Sequence, residues 1–307
     1  MIRHSWLPLV AICVTACEVA RAPGPAADGI CDAPYSRAAL PPEIEETSGL
    51  AASRAYPGIF WTHNDSGNEA FLYAVDSTGT VRGRVAVRGA TNRDWEDLAL
   101  APCDTGDCLY ISETGDNNER YPHVAVFRVP EPEPGDTATE PAERFRFRYP
   151  DGPRDAESLF VTDAGIHVIG KGRSHAIELF RLPPEFSTGS IPELEHVQRI
   201  APPPTTVSAQ VTAAASVGDS LVVVRTYASL QFFWIVADTL EPFGPPADLT
   251  LNGEPQGEGV DFLPDGRLVL SSESQGRFPA TISLVRCDPR RADTAADTVR
   301  PGDAPEE

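Results

Sequence analysis

A short phrase recurs along this chain: a Glu, a small or acidic residue, then an aliphatic residue that opens a strand. It stands as Glu96-Asp97-Leu98, Glu157-Ser158-Leu159 and Glu258-Gly259-Val260, with two copies that lack the Glu, Ser48-Gly49-Leu50 and Thr212-Ala213-Ala214. The aliphatic residues at 50, 98, 159, 214 and 260 are spaced 48, 61, 55 and 46 apart. Such a period fits four short strands, the unit of a propeller blade, because each small sheet must stack on its neighbours to bury its faces. Only the innermost strand of a blade faces the axis. The repeat therefore predicts an all-β propeller that aims Glu96, Glu157 and Glu258 at one point.

Strand signals come in five sets: Gly49–Ala52 to Val81–Val87, Leu98–Ala101 to Arg144–Tyr149, Leu159–Thr162 to His196–Ile200, Ala213–Ser216 to Asp248–Leu251, and Val260–Leu263 to Thr281–Arg286. Asp76-Ser77-Thr78-Gly79 and Asp265-Gly266 read as turns. Phe145 and Phe147 alternate with Arg144, Arg146 and Arg148, as on a half-buried outer strand. The fifth set lacks a fourth strand, and Ser36 to Ile44 can supply it from the other end of the domain. Five blades are predicted, six if one repeat is degenerate.

The first 17 residues are not part of the fold. Arg3 precedes an apolar run, Leu7 to Ala16, that is too short to span a bilayer. The run ends Val14-Thr15-Ala16-Cys17, which resembles the lipobox of bacterial lipoproteins and implies a lipid on Cys17. An ordinary signal peptide cut after Ala20 is the alternative. Glu18 is not the Asp associated with inner-membrane retention, which favours the outer membrane. Residues 18 to 30 read as a tether, 31 to 288 as the propeller and 289 to 307 as an acidic, apolar-poor tail. With Cys13 and Cys17 set aside, four Cys remain in a chain expected to be exported. Cys103 and Cys108 bracket a tight loop and should pair, leaving Cys31 and Cys287 to join the two ends of the domain. A Cys₄ metal site is disfavoured by the absence of a C-x-x-C pair.

The formal net charge is −20. Nucleic acid and anionic lipid are repelled by such a surface, so the membrane enters through the lipid anchor alone and the chain is expected to be a monomer. The strand starts share a face with the ends of the second strands. Those ends carry His63 and Asp65, Glu113, Asp116 and Asn117, Lys171 and Arg173, Arg225, and Glu273, which makes them candidate ligand-binding residues. Three readings of the Glu slot stay open. Each Glu can staple the next blade by accepting its backbone N–H groups. Together with Asp155 they can hold a hard cation such as Ca²⁺, since clustered carboxylates need a cation or a raised pKa. They can also serve in catalysis. The chain has no G-x-S-x-G, P-loop, H-E-x-x-H or dinucleotide fingerprint.

Ser48-Gly49-Leu50-Ala51-Ala52-Ser53, Trp61 to Gly67, Asp94 to Ala99, Tyr110 to Asn117 and Arg148 to Glu157 resemble phrases of a bacterial family of exported β-propellers. Its members are labelled "esterase-like activity of phytase" or NHL/WD40-like. The resemblance covers about residues 43 to 182, with Gly257 to Asp261 beyond. Ser112-Glu113-Thr114 departs from the family's more frequent Gly-Asp-Ile. It implies a propeller and an exported location, and it assigns no mechanism. The expected function is binding of a small-molecule or protein ligand on the polar central face, with Ca²⁺ as candidate cofactor. A metal-assisted phosphoesterase, in which Lys171, Arg173 and Arg225 hold phosphate and a Glu acts as base, is the alternative. A glycosidase or a purely structural propeller follow.

Overall fold

A computed structural model describes residues 30–288 apart from 33, 35, 183, 185 and 186. The signal segment with Cys17, nearly all of the tether and the acidic tail lie outside the described residues.

The fold is five four-stranded antiparallel sheets. Among the described residues there is no α-helix, only three short 3₁₀ turns. Blade 1 runs from Thr47–Ala52 to Val81–Ala86, blade 2 from Leu98–Cys103 to Glu143–Phe147, and blade 3 from Ala156–Thr162 to Glu195–Ala201. Blade 4 runs from Val211–Val217 to Thr239–Asp248. Blade 5 takes Gln256–Phe262, Arg267–Glu273 and Thr281–Arg286, and its outer strand is Ser36–Ala39 from the other end of the chain. Ring closure by the N-terminal segment is thus as the sequence predicts. The strand ends sooner than expected, since Pro42–Ile44 turns as a 3₁₀ helix.

Neither face of a blade is left bare. Five apolar clusters form, one in each seam between neighbouring blades, and the seam of blades 5 and 1 completes the ring. Trp61 and Trp95 are fully buried in the seam of blades 1 and 2. Phe145 and Phe147 point inward as their alternation predicts.

The outer strand of blade 4 departs from expectation. It is Thr239–Asp248, not 248–251. Pro242, Pro245 and Pro246 make this stretch read as a loop, yet an outermost strand has one unpaired edge where a missing N–H costs nothing. The turn before it uses Ala237 and Asp238 at φ 47° and 68°, without the glycine that usually marks such a hairpin.

Both predicted disulfides form, Cys31–Cys287 and Cys103–Cys108. The first extends the closing seam: Asp32 donates its N–H to Arg286 and Asp288 donates to Ile30, at 2.8 and 2.9 Å. Its half-cystines are 256 residues apart, against 5 for the second. Loop-closure entropy assigns about 5 kcal/mol to the long bridge and about 2 to the short one. Paired replacement of Cys31 and Cys287 by Ser is therefore expected to lower Tm clearly more than paired replacement of Cys103 and Cys108. Equal shifts in a thermal melt would contradict the closing role.

Candidate functional site

The five inner strands start on one face of the ring, crowded about its axis. Seams are tied there by short hydroxyl side chains. Ser48 Oγ donates to the Glu96 carbonyl (2.5 Å), Thr114 Oγ1 to Ala156 (2.7 Å), Thr212 Oγ1 to Glu258 (3.1 Å) and Ser271 Oγ to Ser48 (3.2 Å). Val211 N–H ties blade 4 to the Lys171 carbonyl of blade 3 at 3.0 Å.

This crowding explains the middle residue of the recurring phrase. A Cβ on Gly49 would lie 2.5 Å from Leu98 N, and one on Gly259 would lie 2.5 Å from Ser271 Oγ. Ser158 and Ala213 are the other small occupants. Asp97 is the exception, and it fills the centre. One of its oxygens accepts the N–H groups of Leu159 in blade 3 (2.8 Å) and Ala214 in blade 4 (3.0 Å), and the other accepts Leu98 N–H of its own blade (2.8 Å). Asp261 does the same for Ala52 of blade 1 and Phe262 of blade 5, both at 2.7 Å. Two carboxylates thus hold backbone N–H groups from all five inner strands. The stapling that the sequence reading gave to the Glu belongs to Asp97 and Asp261.

The Glu side chains are released for another use. Register shifts at Thr47/Leu50, Ala156/Ser158, Val211/Ala213 and Gly257/Val260 place an irregularity at the phrase in blades 1, 3, 4 and 5. Such bulges re-aim a side chain. Glu96, Glu157 and Glu258 line one polar cavity of about 210 Å³ with Asp65, Asn117, Lys171, Arg173, Tyr227 and Glu273. Thr47, Ser48 and Gln256 complete its wall. Five carboxylates face one lysine and one arginine there.

The cavity has two halves. Toward blades 1 to 3, two oxygen triads share Glu96: Asp65, Asp94 and Glu96, and Glu96, Asp155 and Glu157, each with ligand atoms within 4.8 Å of one another. Lys171 pairs with Glu157, and Arg173 Nε lies 3.3 Å from Asp155. Glu96 is 4% exposed, and its carboxylate makes no hydrogen bond or ion pair among the described residues. Burial, then Asp65, push its pKa well above the ordinary carboxylate range. Burial also raises Asp94, to about 6. Room for the pair comes from Gly115, where a Cβ would collide with Glu96 Oε1 and lie 2.5 Å from Asp94 Cγ. An unpartnered buried carboxylate among all-oxygen donors fits a hard cation such as Ca²⁺.

The second half belongs to blades 4 and 5. Gln256 Nε2 donates to Glu258 (2.8 Å) and to Glu273. Burial pushes Glu258 up to about 8 and Glu273 to about 7. Glu258 belongs to neither oxygen triad, so its place is apart from the expected cation group of Glu96, Asp155 and Glu157.

Four residues expected at the ligand lie elsewhere. His63 is buried edge-on against Trp95, and burial lowers it to about 4, so it is neutral packing. Glu113 is buried and paired with Arg144 of the outer strand at 2.6 Å. Asp116 caps its own loop by accepting the N–H groups of Arg120 and Tyr121, at 2.6 Å each. Arg225 is locked in the seam of blades 4 and 5, donating to Gly259 and Ser271 carbonyls at 2.7 and 3.0 Å and pairing with Glu254 at 2.8 Å. In return, Asp94, Tyr227 and Gln256 belong to the site without having been singled out. Asp94 stood in an acid-rich run, Asp94-Trp95-Glu96-Asp97, that signalled it only weakly.

The raised carboxyls fix a pH dependence. Asp94, Asp261, Glu273 and Glu258 titrate at about 6, 7, 7 and 8 in the folded chain, above their unfolded values. Between about pH 5 and 8 the folded chain therefore holds protons that the unfolded chain has released, and stability falls as pH rises. With chelator present, Tm is expected to be higher at pH 5.5 than at 8.5. A flat or rising profile in that window would contradict this.

The fold and site define a five-bladed β-propeller with an acid-rich cavity at one mouth of its axis. No protein-family model matches the sequence, and no curated protein matches it either. Its fold is similar to that of the major allergen Mala s 1 of Malassezia sympodialis, at 10% identity over 81% of this chain and 96% of that one, with a TM-score of 0.52. Aldose sugar dehydrogenase of Streptomyces coelicolor in its PQQ-bound form aligns at 14% identity over 82% and 98%, TM-score 0.49. The gluconolactonase XC5397 of Xanthomonas campestris aligns at 13% over 83% and 88%, TM-score 0.46. These likenesses concern fold alone.

Proposed function

We propose that this chain is a cation-dependent binding protein whose ligand is held at the central cavity. Glu96 is the observation that carries the reading: a buried carboxylate without a protein partner, shared by two oxygen triads. Asp65 and Asp94 on one side, Asp155 and Glu157 on the other, would complete the donor set with it. A bound Ca²⁺ would offset the excess of negative charge and present a Lewis-acidic face to the oxygens of a small ligand. Lys171, Arg173 and Tyr227 would orient that ligand from the wall. Calorimetric titration of Ca²⁺ into chelator-treated protein is expected to give saturable heat and a raised Tm. Absence of both with Ca²⁺, Mg²⁺ and Mn²⁺ would remove the cation from the proposal.

Ester hydrolysis is the second reading. Glu258, which burial keeps protonated to about pH 8, favours it as a proton donor beside the cation half. A phosphate clamp of three cations is not supported, because Arg225 is committed to the blade seam. Phosphoester, carboxylester and aryl-glycoside substrates separate binding from turnover. Activity that disappears in Glu157→Gln supports an enzyme, and activity that persists points to a contaminant.

The same proposal places the protein outside the cytoplasm, as a monomer on a lipid tether at Cys17. Its support is the Val14-Thr15-Ala16-Cys17 sequence and two disulfides that an oxidising compartment permits. The likeness to the esterase-like phytase propellers supports the same location.

A further inference from the structure

The other mouth of the ring has a different chemistry. Blade 4 turns there twice, and Val217, Trp234 and Val236 at those turns are 46%, 42% and 42% exposed. Leu221 closes the first turn opposite Val217 and pairs across strands with Trp234. Trp234 leans on Phe243, with ring centroids 4.8 Å apart. Val217, Leu221 and Phe232 continue into a groove of about 470 Å³ whose opposite wall includes Phe262, Leu268 and Cys287. Single exposed apolar residues need no explanation, but a run that joins a groove marks a contact surface.

Position says what covers it. Both ends of the described chain leave at this mouth, since Cys287 lines the groove and is bonded to Cys31. Twelve residues lie between Cys17 and Ile30, a reach of at most about 45 Å when fully extended. We propose that this end of blade 4 rests on a lipid bilayer, with Trp234 at the interface and the acidic cavity facing away into water. The proposal rests on the lipid-tether reading. The tether supplies the local concentration, so the patch needs little affinity of its own. An indole, apolar with one polar edge, suits the headgroup boundary. Arg54, which lines the groove, is paired with Asp107, and Arg181 is shared by Asp238 and Glu195.

Tryptophan emission tests this. Trp61 and Trp95 are fully buried, so Trp234 is the water-accessible indole of the described residues. The lipidated full chain is placed in phosphatidylethanolamine/phosphatidylglycerol vesicles with brominated acyl chains. Bromolipid is expected to quench the emission, and acrylamide quenching is expected to fall about two-fold as one side of the ring leaves water. Trp234→Gln should remove both signals. Unchanged acrylamide access together with no bromolipid quenching overturns the contact. Concentration-dependent shielding without vesicles also overturns it, in favour of a second copy. Mass analysis of the Cys17 peptide reads the tether separately. Should Cys17 carry no lipid, residues 1–17 are replaced by a hexahistidine tag held on nickel-chelating lipid, and absence of quenching there overturns the bilayer contact by itself.

Discussion

Asp97→Ala is expected to lower stability by about 3 kcal/mol or more, since each buried N–H left without an acceptor costs about 1–3 kcal/mol. The substitution removes the acceptor for Leu159, Ala214 and Leu98, which belong to three different blades. Asp97 is fully buried, so bulk solvent does not reach these N–H groups. Part of the loss is returned, since burial holds the Asp97 pKa well above the ordinary range and the alanine has no charge to desolvate. At roughly 2–4 °C per kcal/mol for a domain of this size, Tm should fall by about 6 °C or more. Asp97→Asn keeps one oxygen for the two cross-blade donors and should lose less. An Asp97→Ala melt within a degree or two of the parent would show that the axis is held by something else.

The neighbouring residue is expected to behave in the opposite way. Glu96→Gln should weaken Ca²⁺ binding by about 100-fold or more, because ligand charge moves Ca²⁺ affinity across several decades. In the cation-free protein the same change should raise Tm. Glu96 has no partner to lose, and an amide is easier to bury than a carboxylate crowded by Asp65, Asp94 and Asp155. Groups held against their own stability are a mark of sites kept for use. A structural staple would behave otherwise, with reduced Tm and unchanged cation heat, and that pairing of results would return Glu96 to the scaffold. Gly115→Ala offers a check that spares the carboxylates: its Cβ would crowd Glu96 and Asp94, so Ca²⁺ binding should weaken with every acid still present.

Much of this was legible because the repeat is a packing requirement. A strand start that must approach four others allows only small residues, and the aliphatic residue after it must enter a seam. The blade count, the closing strand and both disulfides followed from that and from cysteine spacing. Asp97 escaped notice as a staple because a lone sequence shows an acid beside an acid. Which of Glu96 and Asp97 meets N–H groups and which meets the cavity depends on one residue of register. His63, Glu113 and Arg225 went astray at strand ends for a related reason. Where the pleat stops, alternation no longer tells which way a side chain points, and all three turned into the protein beside residues that face the cavity. The outer strand of blade 4 was hidden by its prolines, which only an edge permits.

Closing the circle with Ser36–Ala39 against Thr281–Arg286, and sealing it at Cys31–Cys287, has a consequence in time. The fifth blade cannot be finished until nearly the last residue of the domain is available, so a nascent chain holds an open arc with one seam unfilled. Sealing therefore waits for Cys287 to meet Cys31, which makes the closing blade the latest event that chain order allows.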